Sequence, residues 1–308
     1  MRITKATFMM MGLLLTCLTF VSTARADGAR SYISPGGSDN RPCTRNQPCR
    51  SFDGALAKTD AGGEIVAMET GTYEPATVTK SITLAAAPGA DVGIRAASGN
   101  AITVNANTGD TVVLRGLRLG GPGKNVAGTN GVLVNLESPS CCISLHLENT
   151  IVSDFEEGVQ MNIGVAGRLL VSDSVFRSNK TGINFSAGGT EANGAAIERS
   201  RFERNDTGIL TSTGNPVTVS NSTASGNGVA FQANPGGKLD IFQSVITKNS
   251  TGIDANGGVV RIAYSSVMGN SMGVAAGGGL VHTMGNNMIV NNDIDISGTM
   301  NFVMFLPR

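Results

Sequence analysis

A short pattern recurs six times between Leu169 and Ile294, and each copy centres on one asparagine. The spacing between successive asparagines falls from 26 residues to 22, 22, 21 and 21. Because a fold built of equal stacked coils repeats at a constant period, we infer a solenoid. The six asparagines are Asn179, Asn205, Asn227, Asn249, Asn270 and Asn291.

Within each copy, apolar residues alternate with polar ones over three to five positions, as in Leu169, Val171 and Phe176 around Ser174. Alternation of this kind predicts short strands with one buried face, whereas a helix would need apolar residues every three to four positions. All copies run in the same direction. The pattern therefore predicts parallel strands, each paired with its equivalents one coil above and below.

Two polar positions in the repeat are predicted to stack as ladders. The asparagine amides can donate to one another and to the backbone of the bend, which satisfies polar groups that would cost roughly 1–3 kcal/mol each if buried unpaired. A second ladder is predicted at a different corner. Its members are Thr150, Ser174, Ser200, Ser222, Ser244, Ser265 and Asn286.

The xNxxGI repeat resembles the right-handed parallel β-helix of the pectin-lyase-like superfamily, in its uncharacterised secreted bacterial branch. The resemblance covers most of the chain. It implies an all-β fold, a single right-handed parallel β-helix (solenoid), and counting the strand starts gives about ten coils. It does not imply one activity, because this architecture carries several chemistries.

Residues 1–26 are predicted to be a signal peptide. Arg2 and Lys5 precede an apolar run from Phe8 to Val21, and a small-x-small cleavage site follows at Ala24 to Ala26. A membrane anchor is the alternative, but about 14 apolar residues are too few to span a bilayer. We therefore expect a secreted or periplasmic protein with no membrane span.

Loss of the three basic residues of this segment leaves 20 basic and 23 acidic residues, scattered along the chain. Such a balance gives no basic surface for nucleic acid, so no nucleic-acid partner is predicted. Cys43 and Cys49 flank a short polar loop and predict a disulfide, with two free thiols as the alternative. Cys141 and Cys142 are interpreted as packing residues, with a reactive thiol as the alternative.

The sequence divides into four segments. Residues 27–63 are predicted to hold a first strand, the disulfide loop and a short capping helix that begins after Ser51. Residues 64–300 form the β-helix, and residues 301–308 are predicted to cap its C-terminal end. A glycine-rich insertion at 120–130 predicts a flexible loop with no specific role.

Three outward positions in successive copies, Asp240, Arg261 and His282, form the best candidate for chemistry. Glu198 lies two positions further along its strand and two coils below Asp240. A carboxylate, a cation and an imidazole could act as acid and base. The alternative is a solvated Asp–Arg pair beside an exposed histidine. His146 is the only other histidine, so no metal site and no cofactor are predicted.

The absence of paired aspartates or of a lyase-type acidic cluster in the sequence favours a non-catalytic scaffold that binds extracellular or cell-envelope ligands, with polysaccharide as the expected partner. The alternative is a carbohydrate-active enzyme, either a polysaccharide lyase or a glycoside hydrolase, that uses the Asp240, Arg261 and His282 column. The sequence does not indicate an oligomeric state.

Overall fold

The chain forms a parallel β-solenoid of about nine turns, as the sequence predicts to within one coil. The structure, a computed structural model, describes residues 28–302 apart from 108, 135–142, 162–166, 187–193 and 213. The predicted signal peptide, Cys141, Cys142 and most of the predicted C-terminal cap lie outside these residues. Every pairing between strands of the three sheets is parallel.

Each turn adds one strand to each of three sheets, and the strands are numbered β1 to β32 in chain order. Sheet 1 contains β1 (Arg30–Ile33), β2 (Gly63–Ala67), β5 (Ile82–Ala86), β8 (Thr111–Arg115), β11 (Ile143–Glu148), β14 (Gly167–Ser172), β17 (Gly194–Glu198), β20 (Pro216–Ser220), β23 (Lys238–Phe242), β26 (Val259–Ala263), β29 (Leu280–Thr283) and β32 (Met300–Phe302). Sheet 2 contains β3 (Gly71–Tyr73), β6 (Val92–Arg95), β9 (Leu117–Gly120), β12 (Ile151–Ser153), β15 (Val175–Arg177), β18 (Arg201–Glu203), β21 (Thr223–Ser225), β24 (Val245–Thr247), β27 (Ser266–Met268) and β30 (Met288–Val290). Sheet 3 contains β4 (Ala76–Val78), β7 (Asn100–Val104), β10 (Asn130–Val134), β13 (Glu157–Met161), β16 (Thr181–Phe185), β19 (Thr207–Thr211), β22 (Val229–Ala233), β25 (Thr251–Asp254), β28 (Met272–Ala275) and β31 (Ile294–Ser297).

Alternation within the strands places one set of side chains in a continuous core. Phe176 and Phe202 stack on each other with ring centroids 5.2 Å apart, and Phe231 meets Phe202 edge-on at 5.9 Å. All three rings are fully buried. Aromatic contacts of this kind add to the burial of aliphatic side chains that stabilises the stack.

The corner between sheets 2 and 3 holds a ladder of buried asparagines. Asn227 is typical: its Nδ2 donates to Asn249 Oδ1 (2.9 Å) and to Phe202 O (2.9 Å). Its Oδ1 accepts from the backbone N and from Nδ2 of Asn205, at 2.9 and 3.0 Å. The same bonds join Asn179 to Asn205, and Asn249 to Asn270.

The last ladder position differs from the sequence prediction. Asn270 Nδ2 donates to Asn292 Oδ1 at 2.8 Å, so Asn292, and not Asn291, continues the ladder. Asn291 occupies the preceding corner position with φ of 59°, a left-handed conformation that asparagine tolerates. The hydroxyl ladder shifts likewise, because Ser265 N donates to Asn287 Oδ1 (2.9 Å) instead of to Asn286.

The N-terminal segment contains the predicted disulfide and a short helix. Cys43 and Cys49 are bonded, which confirms that pairing. The helix α1 (Phe52–Leu56) begins after Ser51, whose side chain accepts from Gly54 N at 3.0 Å. It packs against β1, β2 and β4. That it protects the end of the solenoid from stacking stays a prediction.

We predict that Asn227→Ala lowers the free energy of unfolding by more than about 3 kcal/mol, because it leaves several buried groups unpaired at about 1–3 kcal/mol each. Denaturant unfolding followed by circular dichroism measures this loss. The matched control is Asn256→Ala, which removes an exposed bond from Asn256 Nδ2 to Asn234 Oδ1 (3.0 Å). It should change stability by less than about 0.5 kcal/mol. Equal losses in the two variants would contradict a structural role for the ladder.

Candidate functional site

The strand register brings the predicted column of three residues into line on sheet 1. Asp240 in β23 pairs with Arg261 in β26, and Arg261 pairs with His282 in β29. Neighbouring strands are about 4.8 Å apart, so the column spans about 10 Å. All three side chains alternate with buried residues and point away from the core.

Asp240 and Arg261 form a salt bridge, with Arg261 Nη1 3.0 Å from Asp240 Oδ1. Both side chains are partly exposed to solvent. An ion pair in this setting contributes less than ~1 kcal/mol to stability. It does, however, hold the carboxylate and the guanidinium side by side on the surface.

His282 is half-buried at the next coil. Its Nδ1 atom is buried and has no hydrogen-bond partner among the described residues. Because this nitrogen is buried, a group that enters the cavity can meet only the exposed part of the ring.

The column borders a shallow cavity of about 430 Å³ on sheet 1. Its outward-facing lining consists of one residue pair from each of three neighbouring coils. These are Asp240 and Phe242, Arg261 and Ala263, and His282 and Met284. One side of the cavity is therefore charged and the other is apolar.

An exposed aromatic pair, which the sequence reasoning missed, stands at the apolar side. Phe242 is 38% exposed and Tyr264 is 56% exposed, and their rings meet edge-on with centroids 5.3 Å apart. Tyr264 has φ of 52°, at a corner where the neighbouring coil has Gln243. The signal that could have found the pair is a bulky aromatic at an outward position that is polar in earlier copies, such as Ser220. We call Asp240, Phe242, Arg261, His282 and Met284 together the sheet 1 cleft, and Tyr264 stands beside it against Phe242.

Glu198 lies outside this cleft. Its column on sheet 1 continues through Ser220 to Phe242, so it stands about 10 Å from Phe242, two strand spacings away. Its carboxylate is bonded to Arg199, whose Nη1 is 2.7 Å from Oε1. Glu198 is therefore not a partner for Asp240.

Sheet 3 carries a carboxylate that the sequence reasoning also missed. Glu157 accepts a hydrogen bond from Asn184 Nδ2 at Oε1 (3.0 Å), while its buried Oε2 has no hydrogen-bond partner in the described part of the chain. Burial raises the pKa of Glu157 above its ordinary value, and the nearby Glu156 adds to the rise. Asp254, whose pKa burial also raises, lies four strand spacings away, about 19 Å. That distance is too long for the two acids to act together on one bond.

Two further observations concern the described residues only. No three of their histidine, cysteine, aspartate and glutamate side chains cluster closely enough to hold a metal ion. Among them, no helix has the length and apolar character needed to cross a bilayer.

We predict that Glu157→Gln raises the melting temperature at pH 7. Because the pKa of Glu157 is higher in the folded than in the unfolded chain, ionisation opposes folding, and the penalty grows as pH rises through the folded pKa. Below about pH 4 the carboxyl is neutral in both states, so the gain should vanish there. Thermal melts from pH 3 to pH 8 measure it.

Glu156→Gln is the matched control for that variant. Lys180 and the backbone of Gly128 lower the pKa of Glu156, so the ionised carboxylate favours the fold. This substitution should therefore lower the melting temperature at pH 7. A higher melting temperature in both variants, or a higher melting temperature of Glu157→Gln that persists at pH 3, would contradict the raised pKa of Glu157 in the folded chain.

No known protein family matches the sequence, and no curated protein matches it. Among solved structures, pectate lyase Pel9A is similar over 88% of this chain and 78% of its own, at 19% identity and a TM-score of 0.66. XylC, whose structure is a complex with xylose, is similar over 89% and 70%, at 9% identity and a TM-score of 0.58. The A-module of mannuronan C-5 epimerase AlgE6 from Azotobacter vinelandii is similar over 72% and 71%, at 17% identity and a TM-score of 0.51. At these identities the likeness shows the fold alone, which is a parallel β-helix.

Proposed function

We propose that this protein is an exported, non-catalytic β-helix scaffold that binds a glycan of the cell envelope or the extracellular medium at the sheet 1 cleft. The observation that carries the proposal is the exposed Phe242 and Tyr264 pair beside the Asp240 and Arg261 ion pair. The disulfide between Cys43 and Cys49 supports an oxidising compartment.

A sugar ring presents an apolar face of C–H groups and a rim of hydroxyls, and the cleft has a surface for each. Phe242 and Met284 offer apolar area on one side. On the other side, the ion pair uses one nitrogen of Arg261 and one oxygen of Asp240, so the remaining donors and acceptor face a ligand. Pockets for small ligands commonly combine apolar lining with a few polar groups in this way.

A single available carboxylate favours binding over hydrolysis. Glycoside hydrolases generally use two carboxyl groups about 5 to 9.5 Å apart. Asp240 is the one carboxylate among the residues that line the cavity, and Arg261 already neutralises it. The similar structures are of a pectate lyase, a mannuronan epimerase and a xylose complex, which supports saccharide as the ligand class.

The second candidate is a polysaccharide lyase or glycoside hydrolase that acts through the same column. The position of His282 in the cavity lining favours it, because an imidazole beside a bound sugar is a common acid or base. Arg261 would then stabilise negative charge that develops on the substrate. The two candidates share the cleft and differ in whether a bond is broken.

We predict that the protein binds oligosaccharides of pectate, mannuronan or xylan, and that Phe242→Ala weakens the binding about 5- to 30-fold, because a buried aromatic contact is worth about 1–2 kcal/mol. Alanine already occupies this column one coil above, at Ala263, so the variant should fold. Isothermal titration calorimetry measures the affinity.

Gln243→Ala is the control, since Gln243 is the exposed neighbour of Phe242 and does not line the cavity. Its affinity should equal that of the unmodified protein. Chromatography of the oligosaccharides after long incubation tests for cleavage. Cleavage that disappears in Asp240→Asn and His282→Gln would establish the enzyme instead, and equal affinity in Phe242→Ala and Gln243→Ala would overturn binding at the cleft.

A further inference from the structure

A second groove, on a different sheet from the cleft, crosses β6, β9, β12 and β15 of sheet 2 and has a volume of about 600 Å³. Its floor is low because two outward positions are glycines. A Cβ at Gly120 would meet no atom within 4 Å, and one at Gly93 would approach only Gly71 O, at 3.7 Å. The missing side chains therefore leave open space between taller neighbours.

The taller neighbours are arginines. One outward column of sheet 2 consists of Arg95, Gly120, Ser153 and Arg177, in register on successive strands. Arg95 and Arg177 are thus three strand spacings apart, about 14 Å. Arg118 rises from β9 between them, in the neighbouring column. Three guanidinium groups therefore flank a floor that is lowered at Gly93 and Gly120.

Two of these cations are not neutralised. Arg118 Nη1 bonds to Asp91 Oδ2 at 2.7 Å, whereas Arg95 and Arg177 form no ion pair with any residue that the structure describes. Apart from these three, the structure describes ten arginines, and five of them form ion pairs, for example Arg115 with Glu148 and Arg199 with Asp173. The groove is lined by three arginines and by two carboxylates, Asp91 and Asp154, so its lining carries one net positive charge in a chain whose formal net charge is zero.

The glycine-rich insertion at 120–130 forms one wall of the groove. The sequence predicts that this insertion is a flexible loop. Gly121 N donates to Ser153 O (2.9 Å) and Gly123 N donates to Asp154 O (2.9 Å). Lys124 Nζ forms an ion pair with Asp206 Oδ1 at 2.5 Å. A Cβ at Gly121 would lie 2.2 Å from Asp154 O, so only glycine permits this approach. The loop is therefore fixed against sheet 2 and closes one side of the groove.

We propose that this sheet 2 groove binds an anionic oligosaccharide, with Arg95 and Arg177 each holding an acidic group of one extended sugar chain. The planar guanidinium matches a carboxylate or sulfate through two parallel hydrogen bonds. Ser153 and Thr72 line the same groove and supply hydroxyls for the uncharged rim of the sugar. The lining contains no aromatic ring, which disfavours single-stranded nucleic acid because bases bind such grooves by stacking.

The experiment compares Arg95→Ala/Arg177→Ala with Arg45→Ala/Arg50→Ala, a control that removes the same charge from exposed positions of the disulfide loop. The probes are oligogalacturonate, dextran sulfate and neutral dextran, titrated by calorimetry at low and high salt. We expect the groove variant to bind an anionic probe at least about fivefold more weakly, while the control binds normally. Affinity in the unmodified protein should fall with salt, because exposed charge pairs are screened within about 3 Å at 1 M.

Binding of oligogalacturonate would identify the acidic group of the ligand as a carboxylate, and binding of dextran sulfate would identify it as a sulfate. Arg95→Lys/Arg177→Lys should retain part of the affinity, since lysine keeps the charge and loses the planar fork. Thermal melts of all variants confirm that each is folded. Equal losses in the groove variant and the control, equal binding of neutral dextran, or no binding of either anionic probe would overturn the proposal. Loss of binding only in Phe242→Ala would support the cleft and reject the groove.

Discussion

The stacked amides between sheets 2 and 3 fix the register on which the rest of the solenoid depends. Each Oδ1 accepts from the backbone and the side chain of the coil before it, and each Nδ2 donates to a backbone carbonyl inside the corner. Because these groups are buried, a slip of one residue would leave several of them unpaired at about 1–3 kcal/mol each. From Asn179 to Asn292 the chain therefore turns at the same place in each coil, even where the outward side chains change completely.

A fixed register turns the sequence period into columns of neighbouring side chains. Residues 21 or 22 positions apart lie about 4.8 Å from each other. Groups of functional side chains on the surface therefore form along the axis of the solenoid and not between residues that are close in sequence. Asp240, Arg261 and His282 come together in this way, and on sheet 2 the longer coils align Arg95, Gly120, Ser153 and Arg177 in one column. The column on sheet 2 shows that a glycine at an outward position can create a groove, because it has no side chain to fill the space between its neighbours.

Features that follow from the constant length of the repeat could be predicted from the sequence. Features that arise from burial, or from a shift of one residue in the repeat, could not. The Asp240 to His282 register was predictable because the spacing is constant at 21 residues in that region. Asn292 was not separable from Asn291, since the two are adjacent and identical in type. The raised pKa of Glu157 arises from desolvation by neighbours on other coils, which no local pattern records. The coils before Leu169 are irregular in length, so the sequence alone could not show that Gly120 lies between Arg95 and Arg177 in one column.

The two proposed surfaces rest on different physical forces, although one scaffold carries both. The sheet 1 cleft combines exposed aromatic area with a charge pair that is already neutralised, so its affinity should depend little on salt. The sheet 2 groove depends on cations without protein partners and should respond strongly to salt. The cleft begins at β23 and the groove ends at β15, and these strands belong to coils three spacings apart, about 14 Å along the axis. Since sheets 1 and 2 meet at one tight corner, a long acidic polysaccharide that wraps this corner could contact both surfaces, and the two contacts would then reinforce each other through effective concentration.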